Sequence, residues 1–340
     1  MILSKAPIFR RNYLERRRHM SQFPKQFKSL SDQRDILMNK HLLNQKVIED
    51  ELLKKNYFDL VNGLEDIINT PSQNSKCFSN YTFNDLLGLY KLNKEIRELL
   101  FSVIGEFEIK LKSSIAYHFS DKYRSWNSYT DPNNYKNVTI DDRYEVFLAR
   151  FGYSPYFEGS DPVINQYKLF PFFRSNELLT KFYRKKRYLG AYGGHPPLWV
   201  TIKALNFGEL HILFSMLQSP IAAEVLNDFN LRLSDRNLFE SVLDIVNWLR
   251  NECAHFEMIN NSRYHGKYPL DEKLITKLGI ETNKSRMNLN LFSSMQVLDF
   301  IQEFKQRFND LINNFSLSPT LKKKYLMSIG YQVSSGWKTV

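Results

Sequence analysis

The chain has 340 residues, 43% of them hydrophobic, which suffices for a packed core and excludes disorder throughout. Two cysteines, Cys77 and Cys253, are too few for a disulfide framework or a zinc site. No run of about 18 apolar residues suggests a membrane helix. Met1 to Met20 carries charges where a signal peptide needs its apolar centre, so the implied compartment is a reducing cytoplasm. A formal net charge of +11 biases the partners towards polyanions, nucleic acid first.

In chain order, Lys5, Arg10, Arg11, Arg16, Arg17, Arg18, Lys25 and Lys28 stand against Glu15 alone, so residues 1–28 read as a basic arm. Such an arm is either a tail that contacts phosphates or a solvated terminus. Ser31 precedes apolar positions at Ile36, Leu37, Leu42 and Leu43, and a second helical pattern runs from about Val47 to Lys55. Residues 29–80 therefore read as a small helical wing. Thr82 with Asp85 reads as a capping box for a long helix through about Tyr117, with Leu92 and Asn93 as its candidate break. From Ile96, the positions Leu99, Leu100, Val103, Ile104, Phe107, Leu111 and Ile115 form one apolar stripe at helical period. Arg97 and Glu108, 11 residues and so close to three turns apart, share an azimuth at its edge. They either pair with neighbouring helices at the core boundary or line a catalytic groove.

Between Asp121 and His195 periodicity fades, Tyr and Phe are dense, and Gly and Pro interrupt the run, so residues 120–195 read as an insertion of short helices and loops. Its end interleaves Lys181, Arg184, Lys185, Lys186 and Arg187 with Phe182, Tyr183 and Tyr188. Aromatic faces stack unpaired bases while cations meet phosphates, so these five are the candidate RNA-binding residues. Pro197 opens a further helical region running to Leu217, with Pro220 near a break. Ser234 is the expected cap of the next helix, whose stripe is Phe239, Val242, Leu243, Val246, Leu249 and Cys253. After Asn261 a polar loop, a helix from about Ser293 to Asn313, and a tail with Lys322, Lys323 and Lys324 are expected. Residues 81–119 and 196–315 form the expected helical core, and 316–340 the tail. Walker, GxGxxG and H-E-x-x-H motifs are missing, and the scattered histidines lack partners at metal spacing, so neither metal nor cofactor is expected.

The chemistry concentrates in Arg250, Asn251, Glu252, Cys253, Ala254, His255. A histidine exchanges protons near neutral pH, and an arginine stays charged and grips phosphate oxygens with two parallel donors. These are the needs of metal-free RNA cleavage. Arg250 falls on the core stripe, so either a carboxylate such as Glu108 compensates it or it opens into a cleft. His255 projects about 140° from Arg250 on an ideal helix, so the two converge only if the helix ends after Arg250 or if two copies pair.

The spacing resembles the R-x4-6-H signature of the HEPN superfamily of helical ribonucleases, and Arg-Asn-x-Cys-Ala-His with Asn260 five residues on resembles the Abi-like abortive-infection family. Three further blocks are similar to that family: Phe27 to Leu60, Thr82 to Phe119, and Pro197-Leu198-Trp199-Val200 followed by Phe207-Gly208-Glu209-Leu210. The resemblance implies an all-α, HEPN-like helical bundle that acts as a toxin-like phage-defence endoribonuclease. Arg250, Asn251 and His255 would be catalytic, and Arg97, Glu108 and Asn260 supporting. RNA is the implied partner, and one signature per chain implies a homodimer. Relatives carry a polar residue, often His, where this chain has Phe256, which would remove one proton-transfer group. The rival readings are a non-catalytic RNA-binding protein and a helical interaction protein whose signature is a packing motif.

Overall fold

The computed structural model describes residues 26–40, 48–71, 76–78, 81–126, 128–136, 197–266, 269–279 and 287–331. The basic arm up to Lys25, and Lys181, Arg184, Lys185, Lys186 and Arg187, lie outside the described residues. Among those described the fold is all-α, as expected, with two short antiparallel strand pairs added. No described helix is long and apolar enough to cross a membrane.

The chain divides into two compact units. The smaller, residues 1–56 and 70–83, carries α1 (Leu30–Asn39), α2 (Ile48–Lys54) and the pair β1 (Thr70–Pro71) and β2 (Lys76–Cys77). The cap of α1 is Ser29 and not Ser31: the Ser29 hydroxyl accepts the Asp32 N–H at 3.1 Å, and the Asp32 carboxylate accepts the Ser29 N–H at 3.0 Å. Only position 29 has an acid three residues on to close this reciprocal box. An Arg34–Glu49 ion pair joins α1 to α2, over buried Leu37, Ile48 and Leu52.

The larger unit, residues 57–69 and 84–340, opens with a π-helical turn (Phe58–Asn62) and α3 (Glu65–Ile68). The long helix α4 (Phe83–Tyr123) follows, unbroken through Leu92 and Asn93. Then come α5 (Leu198–Thr201), α6 (Phe207–Met216), α7 (Ser219–Asn227) and α8 (Arg236–Ala254), the last carrying the Arg250 to His255 segment. Pro220 sits in the first turn of α7, where its missing N–H costs nothing. Strand β3 (Arg263–His265) pairs with β4 (Asn288–Asn290) in place of the expected polar loop, with α9 (Glu272–Leu278) between them. The helix expected from Ser293 to Asn313 is two, α10 (Leu291–Asp299) and α11 (Phe304–Asn314), because the Asp299 carboxylate takes the Lys305 N–H at 2.9 Å and redirects the chain. The last helix is α12 (Pro319–Ser328).

The core of this unit is aromatic. Phe107 of α4 meets Phe207, Phe229 and Phe239 at centroid distances of 6.0, 5.4 and 6.2 Å, and Phe239 meets Phe214 at 5.0 Å. Tilted and edge-on rings of this kind gain packing beyond their buried area. The N-cap of α8 is not Ser234: the Asp235 carboxylate accepts the Arg232 N–H at 3.1 Å and closes a 3-10 turn ahead of the helix. Arg236, at the first turn of α8, is buried and reaches the far end of α6. Its Nη2 donates to the carbonyls of Phe214, Ser215 and Leu217 at 3.1, 2.9 and 2.9 Å, and its Nε to Glu240 at 3.3 Å. A cation thereby meets the negative end of a helix, adding a donor to the Phe214 carbonyl, which also takes the Leu217 N–H at 3.1 Å, and to those of Ser215 and Leu217.

Replacing Arg236 by Met keeps the side-chain volume but removes a buried cation from Glu240 and its donors from three carbonyls, so Arg236→Met is expected to cost about 3 to 5 kcal/mol in chemical denaturation. A second expectation concerns acid. The Asp228 carboxylate accepts Ser114 Oγ at 2.7 Å and lies 2.9 Å from His118 Nε2, joining α4 to the end of α7. Burial raises its pKa, but the bonds from Ser114 and His118 outweigh it and hold the carboxyl below the usual range. A depressed folded pKa means stability that is full above the unfolded value of about 3.9 and fades as pH falls below it. Unfolding midpoints measured between pH 5 and pH 3 are therefore expected to fall more steeply in the wild type than in Asp228→Asn.

Candidate active site

The expected stripe of α8 is the buried one: Phe239, Val242, Leu243, Val246, Leu249 and Cys253 all face the core. Arg250 is half-buried, while Asn251 and His255 are exposed. The side chains of these three make no hydrogen bond or ion pair with any described residue. Glu108 is committed elsewhere: Lys112 donates to it at 2.6 Å and to the Leu205 carbonyl at 2.7 Å, locking α4 to the segment that leads into α6. Arg250 therefore has no carboxylate compensating it among the described residues and stands at the edge of the core with its charge available.

The helix does not end after Arg250. It runs to Ala254, with the His255 N–H still bonded to Asn251 O at 3.0 Å, so the divergence of about 140° between Arg250 and His255 persists. Beyond His255 the chain makes a Schellman turn: Phe256 N–H donates to Cys253 O and Glu257 N–H to Glu252 O, both at 3.3 Å. Phe256 sits at the left-handed position of that turn, φ 60°, where glycine is usual.

Arg97 of α4 closes on this turn. It is 7% exposed, its Nη1 donates to the carbonyls of Phe256 at 3.0 Å and Glu257 at 3.1 Å, and its guanidinium lies 5.2 Å from the centroid of the Phe256 ring. One turn earlier on α4, Asn93 is fully buried, and its Oδ1 accepts the Asn260 N–H at 3.2 Å and the Tyr325 hydroxyl at 2.9 Å. Asn260 in turn donates its side-chain amide to Gly63 O at 2.8 Å, which also takes the Asn261 amide at 3.0 Å. Asn260 thus anchors the segment after the helix and lies away from solvent. Sequence reasoning overlooked Asn93, Gly63 and Tyr325. The one signal was the spacing of Asn93 and Arg97, four residues apart and so on one helical face.

Cys253 lies in the same segment, but burial pushes its thiol up to about 12, with Arg97 pulling down and Glu252 pushing up more weakly. It is a packing residue, neutral at physiological pH. The Phe207-Gly208-Glu209-Leu210 block is a helix start: Asn206 and Glu209 form a capping box with both bonds at 2.9 Å. A β-carbon on Gly208 would stand 3.8 Å from the Asn247 amide, so this helix start lies against α8 one turn before Arg250. Pro197 caps α5, with Leu198 buried beside it and Trp199 half exposed.

A family model described as Abi-like protein matches residues 50–261, well over half of the chain, and includes both the long helix and the segment from Arg250 to Asn260. No curated protein and no solved structure matches the chain.

Alkylation tests the packing role of Cys253. Iodoacetamide at pH 8 is expected to label Cys253 in the folded protein at a rate well below that in denaturant, as mass spectrometry of the tryptic peptides would read. Rapid labelling of the native thiol would contradict its burial.

Proposed function

The chain belongs to the Abi-like protein family, and from that membership together with the helix end at Arg250 to His255 we propose that it is a phage-defence protein of the abortive-infection type. In this reading it acts in the cytoplasm on RNA, as a metal-independent endoribonuclease of the HEPN kind. The observation that carries it is an arginine without a counter-ion beside a histidine and an asparagine whose side chains have no partner among the described residues, all at the C-terminal end of one helix. Charged and polar groups left unpaired at a helix end are available to a ligand, and a phosphodiester supplies both the negative charge and the acceptors they lack.

The chemistry runs through the substrate's own hydroxyl. The ribose 2′-oxygen gives its proton to a base and bonds to the adjacent phosphorus; the bond from phosphorus to the 5′-oxygen breaks, and that oxygen takes a proton from an acid. The products are a 2′,3′-cyclic phosphate and a 5′-hydroxyl. His255 performs one of the two proton transfers, Arg250 stabilises the charge on the phosphoryl oxygens, and Asn251 orients the phosphate. One histidine serves one transfer at a time. A second copy of the chain, facing the first across a two-fold axis, supplies the other and reconciles the divergent directions of Arg250 and His255. The second reading, a non-catalytic RNA-binding protein, is favoured by Phe256, whose ring is occupied by Arg97 and offers no proton.

Gel analysis of total RNA after induced expression tests the first reading. His255→Ala and Arg250→Ala are each expected to reduce cleavage by about 10²- to 10⁴-fold with helical content unchanged. Cleavage should persist in EDTA and leave cyclic phosphate ends. Mixing the two inactive variants should restore part of the activity if each site draws Arg250 and His255 from different chains. Inhibition by chelator that magnesium reverses would overturn the mechanism. Intact RNA with salt-dependent binding would leave the second reading.

A further inference from the structure

The imidazole of His255 has no partner among the described residues, so nothing attached to the ring itself holds its direction. Its backbone is held instead, from two sides. On one side the His255 N–H closes the last turn of α8 on Asn251 O at 3.0 Å. On the other, the peptide that follows belongs to a left-handed residue, Phe256 at φ 60°, a conformation that a bulky L-residue disfavours. An aromatic residue stays there only when its surroundings over-determine it. Here the surroundings are Arg97: one Nη1 shared by the carbonyls of Phe256 and Glu257, and a guanidinium plane over the Phe256 ring.

We infer that Arg97 is a positioning residue for His255, converting the turn at the end of α8 into a rigid mount from which the imidazole leaves in one direction. The role in cleavage rests on the reading of His255 as the proton-transfer group; the rigidity of the mount does not. Removing the guanidinium releases two carbonyls and the ring together, and Phe256 then relaxes out of the left-handed region, turning the peptide that joins it to His255. Lysine does not substitute. Its compact ammonium donates to carbonyls but cannot lie flat on a ring while doing so. Glycine at position 256 adopts the turn without help, so it should make the mount less dependent on Arg97.

The test uses the full-length protein with Arg97→Lys, Arg97→Met, Phe256→Gly and the double variant Arg97→Met with Phe256→Gly. The first readout needs no activity: hydrogen exchange at the Phe256 and Glu257 amides, followed by NMR. It should accelerate about ten-fold or more in Arg97→Met, as expected for lost hydrogen bonds around the turn, and return towards wild type in the double variant. The second is steady-state cleavage of a single-stranded oligoribonucleotide. For Arg97→Lys, kcat is expected to fall about 10- to 100-fold, with KM within about two-fold of wild type, because a misplaced group slows chemistry without weakening binding. Unchanged exchange in both Arg97 variants overturns the proposal whatever the activity, and so does a rise in KM alone, which would make Arg97 a substrate contact. Accelerated exchange in Arg97→Met, rescued by glycine, in a protein that cleaves no RNA would uphold the mount and overturn the ribonuclease reading instead. Should Arg97→Met fail to fold, Arg97→Lys carries the exchange measurement, with Phe256→Gly added to it as the rescue.

Discussion

Two buried arginines put their guanidinium groups on backbone carbonyls at helix ends, and the placement of the candidate site follows from where they do it. Arg236 starts α8 by closing the end of α6, and Arg97 of α4 closes the turn in which α8 finishes. In each case a cation that would be costly to bury alone meets backbone carbonyls at or just past a helix terminus. The exchange works only if both groups are desolvated together and the geometry is fixed. Helix α8 is therefore clamped at both ends by side chains, while its middle is held by the aromatic packing around Phe239.

That arrangement separates what is rigid from what is available. The polar groups near the helix end that are buried, Asn93, Arg97 and Asn260, have partners that tie the segment to Gly63 and Tyr325. Asn260 Oδ1 is the exception, buried without a donor among the described residues, and it lies in the anchor and not on the exposed face. The outward groups, Asn251 and His255, are left unengaged by the described residues. A ligand meeting them displaces water and not protein, so little reorganisation is needed, which is the condition under which electrostatic stabilisation of a transition state is most effective.

Much of this was legible in the sequence. The apolar periods of α4 and α8 placed both helices on their correct faces, since 3.6-residue spacing is a local property that survives folding. Where local signals competed, the nearer partner decided. Ser31 and Ser234 both read as caps, yet Ser29 takes the first role because its reciprocal N–H lies three residues away, and Asp235 stands at the second because its carboxylate closes the 3-10 turn just ahead of α8 on the Arg232 N–H. Asn93 looked like a helix break because asparagine competes locally for the backbone; it is tolerated because Asn260 and Tyr325, 167 and 232 residues away, consume its oxygen. No local pattern announces partners at that separation. Arg97 and Glu108 illustrate the same limit: they share an azimuth, but one reaches the turn after α8 and the other is satisfied by Lys112 a single turn away.

Phe256 marks the point where the two levels meet. Set against the resemblance to Abi-like relatives it is a departure, an aromatic residue where a polar one is expected. In the fold its ring lies under Arg97 and its backbone supplies the turn that ends the helix. Under the proposed ribonuclease reading, the single imidazole at this helix end would serve one proton transfer from within a chain, and the other would come from a partner surface or from solvent. On that reading, a mounted His255 beside an Arg250 with no counter-ion among the described residues would suit a reaction completed from outside the single chain. Under the proposed function, the geometry that keeps Arg250 and His255 apart on α8 would be a reason for assembly and not an obstacle to activity.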